Sequence, residues 1–147
     1  MQQMLIKNRN ILAFSDTHGN HRELQVPENV DIVICAGDAV EDNLVGDEYD
    51  DFIEWFASLR CKWKIFVPGN HELSFESVQA DRIIQRMTCQ GITVLEDAVE
   101  DKGSVNILDF ILKAQPKYHL FGHIHSTAGR HIQFGNTKCI NITALIQ

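Results

Sequence analysis

The stretch Phe121-Gly122-His123-Ile124-His125 lies near the end of the 147-residue chain, directly after a short apolar segment. Residues 116–121 predict a buried strand, because the proline at its start ends any preceding helix and the run that follows favours extended backbone. Gly122 then ends the strand. In extended backbone, residues two apart project to the same side, so His123 and His125 can reach one point in space. Such a pair can hold a metal ion, although two exposed loop histidines are the commoner meaning of the pattern.

Three further turns that carry potential ligands change this balance. Ser15-Asp16-Thr17-His18-Gly19, Gly37-Asp38 and Gly69-Asn70-His71-Glu72 each follow a short apolar run. In an open parallel sheet, sites form beyond the carboxyl ends of the strands. We therefore expect the four turns to meet at one edge of a sheet and to build a metal site there.

Strands alternate with helices along the chain, which predicts a single α/β domain over residues 1–147 with a mainly parallel sheet. The last two strands are expected to form a hairpin around a type I′ turn at Gly135-Asn136. Helices are expected at 47–59, 76–88 and 104–115, and strands at 11–14, 31–36, 63–67, 92–95, 116–121, 130–134 and 138–142.

Composition narrows the class of protein. The formal net charge is -7 at pH 7, which argues against a dedicated nucleic-acid surface, since such a surface needs clustered lysine and arginine. The four cysteines form no C-x-x-C pair, which favours reduced thiols. No apolar stretch approaches the ~20 residues of a membrane span. We expect a soluble cytoplasmic protein without a membrane partner.

The candidate ligands are two carboxylates, one amide oxygen and three imidazoles, a set that suits Mn, Fe, Zn or Ni better than Ca or Mg. More than four ligands, one of them a bridging carboxylate, indicate two ions, which together clamp a displacement at phosphorus. A metal-activated hydroxide would attack. His71 would protonate the leaving oxygen or stabilise its charge, and Glu72 would orient His71. The ligand candidates are Asp16, His18, Asp38, Asn70, His123 and His125.

These motifs, in chain order, resemble those of the calcineurin-like metallophosphoesterases. The longer stretches around two of them, residues 15–19 and 116–125, resemble a branch of small bacterial and animal phosphodiesterase-like proteins. The resemblance implies a sandwich of β-sheets flanked by helices. It implies one metal on Asp16, His18, Asp38 and His125, and a second on Asp38 as bridge, Asn70 and His123. It also implies hydrolysis of phosphomonoesters or phosphodiesters, including cyclic nucleotides and nucleic acids, usually with manganese. For this chain we favour phosphodiesters.

The chain departs from the family pattern in one region. The family has a further histidine on a strand between the third and fourth of these motifs along the chain, but no histidine occurs between His71 and His119. The connection near 96–103 is too short for the strands that relatives place there, so a shortened second sheet is expected. A natural deletion, an edited chain and an unresolved stretch in a renumbered chain all remain open. Substitute ligands are sought among His21, His131, Glu96, Asp97, Glu100 and Asp101, with solvated side chains as the favoured alternative for the acids. His21 is expected either to face the substrate or to lie in an exposed turn. His119 is expected to alternate away from the site on its strand and to be packed.

These departures leave several functions open. The leading prediction is a metal-dependent phosphoesterase whose second metal site is incomplete, binding one or two ions with reduced activity. The main alternative is a non-catalytic protein-binding scaffold that uses the same fold; retention of His71 argues for an enzyme. A nuclease is disfavoured by the acidic charge. An uncovered edge of a shortened sheet could also support a homodimer.

Overall fold

A computed structural model describes residues 1–41, 44, 46–69, 71–95, 112–122, 126 and 128–144. Within these ranges the chain forms a five-stranded sheet and a three-stranded sheet, with helices packed against the larger sheet. The predicted α/β class is confirmed. None of the helices in this part of the chain is long and apolar enough to cross a membrane.

The larger sheet has the strand order β1-β2-β3-β4-β5. β2 to β5 are all parallel to one another, as the alternation of apolar runs and helices predicts. Their carboxyl ends therefore lie along the same edge, where the first three ligand turns follow β2, β3 and β4. The strands are β1 (Gln2–Ile6), β2 (Arg9–Phe14), β3 (Ile32–Ala36), β4 (Trp63–Val67) and β5 (Ile92–Val94).

Strand β1 was not predicted from the sequence. It pairs antiparallel with β2 through a two-residue turn in which Lys7 and Asn8 have φ values of 48° and 59°. Positive φ at both central positions is the pattern of a type I′ turn, which is usually recognised in a sequence by a glycine. Lys7-Asn8 lacks glycine, so the local sequence carries little hairpin signal.

Two helices cover the larger sheet: α1 (Tyr49–Ser58) and α2 (Ala80–Cys89). Phe52 and Phe56 of α1 stack at 5.2 Å between ring centroids and are fully buried against the sheet. The predicted helix 76–88 begins four residues late because residues Leu73–Glu76 form a separate 3-10 turn, and Ser77 is extended with φ -116° and ψ 177°. Of the predicted helix 104–115, only residues 112–115 lie within the described part, and 112–114 are helical.

The smaller sheet contains β6 (Tyr118–Phe121), β7 (His131–Phe134) and β8 (Thr137–Asn141) in the order β6-β8-β7. β6 is parallel to β8, and β7 is antiparallel to it. The turn between β7 and β8 differs from the prediction: Gly135 has a φ of 57°, whereas Asn136 is not among the described residues with positive φ, which is the pattern of type II′. Residues 96–111, which include the apparent deletion, lie outside the described residues.

The two sheets meet at the carboxyl end of β2. Ser15 forms a parallel bridge with Thr143, and the Ala144 N–H donates to the Ser15 carbonyl at 2.9 Å. The Ile142 N–H donates in turn to the carbonyl of Phe121, the last residue of β6. This junction brings Gly122 so close to Ser15 and Asp16 that a Cβ on Gly122 would overlap both side chains. The start of the Gly122 turn is thereby fixed beside the first ligand turn.

Candidate metal centre

Backbone hydrogen bonds join the turns that follow β2 and β3. The N–H groups of Asp16 and His18 donate to the carbonyls of Gly37 and Asp38, each at 3.0 Å. The hydroxyl of Thr17 donates to the Ala39 carbonyl at 2.9 Å. Two loops that lie more than twenty residues apart in sequence therefore form one rigid unit at the edge of the sheet.

Three candidate ligands on this unit have left-handed backbone. The φ values are 60° for Asp16, 44° for His18 and 53° for Asp38. A residue with a Cβ is disfavoured there by about 1–2 kcal/mol. Such conformations persist only where the surrounding structure enforces them, and they concentrate at functional sites. The strain therefore marks these three residues together as a site.

The same three side chains converge. One ligand atom each from Asp16, His18 and Asp38 lies within 4.8 Å of the other two. Both carboxylates are buried, with only 4% of each residue exposed. Buried carboxylates need compensating charge or hydrogen bonds, and a divalent cation supplies the charge. The donor set of two carboxylates and an imidazole fits a divalent transition metal.

Glu72 holds the third loop onto the second. Its carboxylate accepts hydrogen bonds from the backbone N–H groups of Asp38, Ala39 and Gly69 at 2.8, 2.7 and 2.6 Å. The residue is 1% exposed. Burial raises the pKa of Glu72 to about 7, and the three backbone hydrogen bonds oppose that rise. The prediction that Glu72 orients His71 is corrected: both carboxylate oxygens face backbone N–H groups of the two loops.

Glycine is required where these loops touch. A Cβ on Gly69 would lie 2.5 Å from Asp38 Oδ1, and a Cβ on Gly37 would lie 2.5 Å from the Gly69 Cα. Both distances are shorter than real Cβ contacts. The Gly-Asp and Gly-Asn-His-Glu motifs thus allow two backbones to approach closely enough for Glu72 to bond both.

His71 lies at the exposed mouth of the site. Its backbone N–H donates to Asp38 Oδ1 at 3.1 Å, and its ring meets the His18 ring edge to face at 5.2 Å. Glu41 lies beside these two rings: its Oε1 is 2.8 Å from His18 Nδ1, and ligand atoms of Glu41, His18 and His71 lie within 4.8 Å of one another. Sequence reasoning missed Glu41, because an exposed glutamate three residues after a Gly-Asp motif carries no signal of its own.

The remaining predicted ligands, Asn70, His123 and His125, lie outside the described residues, so their roles stay predictions. Their described neighbours constrain where the chain enters: Gly69 and His71 flank Asn70 beside Asp38. Gly122 packs against Asp16. The acids proposed as substitute ligands, Glu96, Asp97, Glu100 and Asp101, lie outside the described residues as well.

The other histidines have structural positions. His21 is 1% exposed, and its Nε2 lies 2.9 Å from Asp51 Oδ2, so it neither faces a substrate nor sits in an exposed turn as the sequence suggested. Burial lowers the pKa of His21, while Asp51 opposes that shift. His119 is half-buried and stacks on Phe121 at 5.7 Å, as its alternation on β6 predicts. His131 is exposed.

Comparison with known proteins agrees with this fold. The model of the calcineurin-like phosphoesterase family matches residues 9–92, which contain β2 to β4 and the first three ligand turns. The chain belongs to this family of calcineurin-like phosphoesterases. It is also similar to the metallophosphoesterase domain-containing protein 1 of Homo sapiens and of Mus musculus, at 43% identity over 75 residues in each case. The match spans 50% of this chain and 22% of each relative.

Proposed function

We propose that this chain is a divalent-metal phosphoesterase that hydrolyses phosphodiesters. The observation that carries the proposal is the convergence of Asp16, His18 and Asp38 within 4.8 Å, on strained loops at the carboxyl edge of a parallel sheet. Left-handed residues with a Cβ concentrate at functional sites, and here three of them bring their ligand atoms together. Family membership supplies the chemistry that suits such a centre.

Asp16, His18 and Asp38 would hold the first ion together with His125, and Asp38, Asn70 and His123 would hold a second. A bound divalent cation supplies Lewis acidity, which lowers the pKa of water and offsets phosphoryl charge. We propose manganese as the native metal, with iron, zinc or nickel as alternatives. The burial of Asp16 and Asp38 excludes bulk water from the centre, which strengthens the electrostatic attraction of these carboxylates for a cation.

His71 is proposed to donate a proton to the leaving oxygen. Its exposed ring can reach a substrate, while its backbone is held by Asp38 Oδ1. Glu72 acts through Asp38: by fixing the N–H groups on either side of the bend, it maintains the left-handed backbone that aims the Asp38 carboxylate inward. We therefore assign Glu72 as a positioning residue rather than as a group that meets the substrate.

The charge of the site favours phosphodiesters over phosphomonoesters. The side chains whose ligand atoms converge at the site include two aspartates and one glutamate, which add negative charge where a phosphate would bind. A monoester carries up to two negative charges and gains most from a guanidinium clamp. A diester carries one and needs less compensation. Cyclic nucleotides or other small diesters fit this requirement, and nucleic acid does not fit the net charge of -7.

A paired substrate assay tests this proposal. We expect a higher kcat/KM for bis-p-nitrophenyl phosphate than for p-nitrophenyl phosphate, with manganese the most effective of Mn, Fe, Zn and Ni. Faster turnover of the monoester would overturn the diester preference but leave the phosphoesterase intact. Manganese binding without turnover of either ester would favour the non-catalytic scaffold instead.

Two further proposals concern the environment of the chain. All four cysteines are free, which suits a reducing compartment such as the cytoplasm.

The edges of the smaller sheet, β6 and β7, are candidates for pairing with a second copy. Light scattering at several protein concentrations tests the dimer, and a monomer at every concentration would contradict it.

A further inference from the structure

A second group of metal-binding side chains lies at the mouth of the site. Ligand atoms of His18, Glu41 and His71 all lie within 4.8 Å of one another. His18 Nδ1 and Glu41 Oε1 are 2.8 Å apart, and the His18 and His71 rings meet edge to face. This group shares only His18 with the inner group of Asp16, His18 and Asp38. Neither Glu41 nor His71 belongs to the ligand set expected for the inner centre.

The backbone beneath the outer group is fixed although its side chains reach solvent. The N–H of Gly19 and the hydroxyl of Thr17 both donate to the Ala39 carbonyl, which ties the His18 loop to the segment that leads into Glu41. Glu72 accepts from the N–H of Ala39 and thereby attaches the loop of His71 to the same segment. The loops that carry His18 and His71 are therefore both attached to Ala39, two residues before Glu41.

The chemistry of this group is that of a zinc site. Two imidazoles and one carboxylate, with a fourth position left to water, are a known ligand set for zinc with an open coordination position. Imidazole ligands also suit zinc better than magnesium or calcium. The side chain of Glu41 is 72% exposed and that of His18 is 25% exposed, so an ion can enter directly from solvent.

We propose that His18, Glu41 and His71 form an outer divalent-cation site that takes zinc and shares only His18 with the inner centre. Because both sites use the His18 side chain, two dications would repel one another across a single imidazole. Zinc in the outer site therefore weakens manganese binding in the inner one. The outer site goes beyond the proposed phosphoesterase activity and does not depend on it.

Calorimetric titration of the metal-free protein with zinc tests the outer site. The titration uses a Cys89→Ser background, because the exposed thiol of Cys89 can bind zinc by itself. We expect zinc binding to the inner centre and a further, separable event at the outer group. Glu41→Gln and His71→Gln should each weaken the outer event about tenfold or more, while Asp38→Asn should weaken the inner binding. Glu23→Gln, at an exposed glutamate on the neighbouring turn, should change neither.

The coupling between the sites has its own readout. Manganese bound to the inner centre can be followed by electron paramagnetic resonance while zinc is added. Zinc should release manganese at a lower concentration from the parent protein than from Glu41→Gln. Zinc titrations of Glu41→Gln and His71→Gln that match the parent in stoichiometry and affinity would overturn the outer site, whatever the catalytic assays report. Loss of both events in Asp38→Asn would also overturn it, because the two groups would then be one site.

Discussion

The Glu72 carboxylate accepts a hydrogen bond of 2.8 Å from the backbone N–H of Asp38, a residue whose φ is 53°. Two more backbone donors, from Ala39 and Gly69, complete the shell of this carboxylate. A buried side chain on the loop after β4 thus holds the strained bend after β3. The geometry of the candidate metal centre depends on this contact between two loops.

Replacing Glu72 by glutamine tests the positioning role. The variant keeps one acceptor oxygen but presents an amide N–H to a backbone N–H, so at least one donor is left unsatisfied. We expect a loss of about 1–3 kcal/mol in the free energy of unfolding. We also expect a fall in manganese affinity of about tenfold or more, comparable to the loss of a group that orients a metal ligand. Urea unfolding and calorimetry measure the two quantities.

The control for Glu72 is Glu76→Gln, since Glu76 is exposed at the end of the 3-10 turn that Glu72 precedes. It should leave stability and metal affinity at their parent values. A Glu72→Gln protein that is less stable but binds manganese with parent affinity would reduce Glu72 to a purely structural residue.

Gly69→Ala should damage the centre sterically. The added Cβ would lie 2.5 Å from Asp38 Oδ1 and 2.9 Å from the Asp38 N, so the Asp38 carboxylate must move. We expect strongly weakened manganese binding by calorimetry. Gly91→Ala is the matched control: nothing lies within 4 Å of its added Cβ, and its φ of 76° costs backbone strain only. That variant should lose about 1 kcal/mol of stability and keep its metal affinity. Equal manganese affinity in the two variants would contradict the account.

Stability of the metal-free protein should depend on pH through His21. Burial lowers the folded pKa of His21 below its ordinary value of 6.5. Between those two values His21 binds more protons in the unfolded chain than in the folded one, so the contribution of His21 to stability rises with pH in that window. The contribution of His21 is complete above pH 6.5 and is lost as the pH falls through the lowered folded pKa.

Unfolding free energies between pH 7.5 and 5 measure this effect. The slope should be smaller in His21→Gln than in the parent, whereas His131→Gln, at an exposed histidine on β7, should keep the parental slope. A slope in His21→Gln equal to that of the parent would mean that His21 is protonated equally in the folded and unfolded chains.

The cysteines should differ sharply in reactivity. Cys35 is fully buried in β3, and burial raises the pKa of its thiol well above the ordinary value. Cys89 is exposed at the end of α2. Because the thiolate is the reacting species, a disulfide reagent should label Cys89 rapidly in the native protein and Cys35 only after unfolding. Peptide mapping after timed labelling checks the order, and early labelling of Cys35 would show that β3 is not buried as described.

The parallel strands could be predicted from the sequence because each is a short apolar run that ends in a turn motif. Ile32–Ala36 and Trp63–Val67 match their predicted ranges within one residue. β1 could not be predicted in this way, since its burial alternates and its turn at Lys7-Asn8 lacks glycine. The start of α2 was predicted too early. Glu76 ends a 3-10 turn and Ser77 is extended, so the helix begins only at Ala80.

The candidate site divides along similar lines. The convergence of Asp16, His18 and Asp38 could be predicted, because the three residues follow strands whose carboxyl ends meet at one edge of a parallel sheet. Glu41 and the role of Glu72 could not, because both depend on contacts between loops more than twenty residues apart, which no local pattern encodes. His21 was misjudged for the same reason: its partner Asp51 lies on α1.

Hydrolysis of bis-p-nitrophenyl phosphate with added manganese, compared among wild type, Asp38→Asn and Asp81→Asn, tests the central claim most directly. Asp81 is an exposed aspartate in the first turn of α2 and serves as the matched control. The account predicts turnover that requires manganese, persists in Asp81→Asn and falls on the order of 100-fold in Asp38→Asn, since a displaced ligand misplaces the reacting groups. Equal turnover in all three proteins, or tight manganese binding without turnover in the wild type, would contradict it.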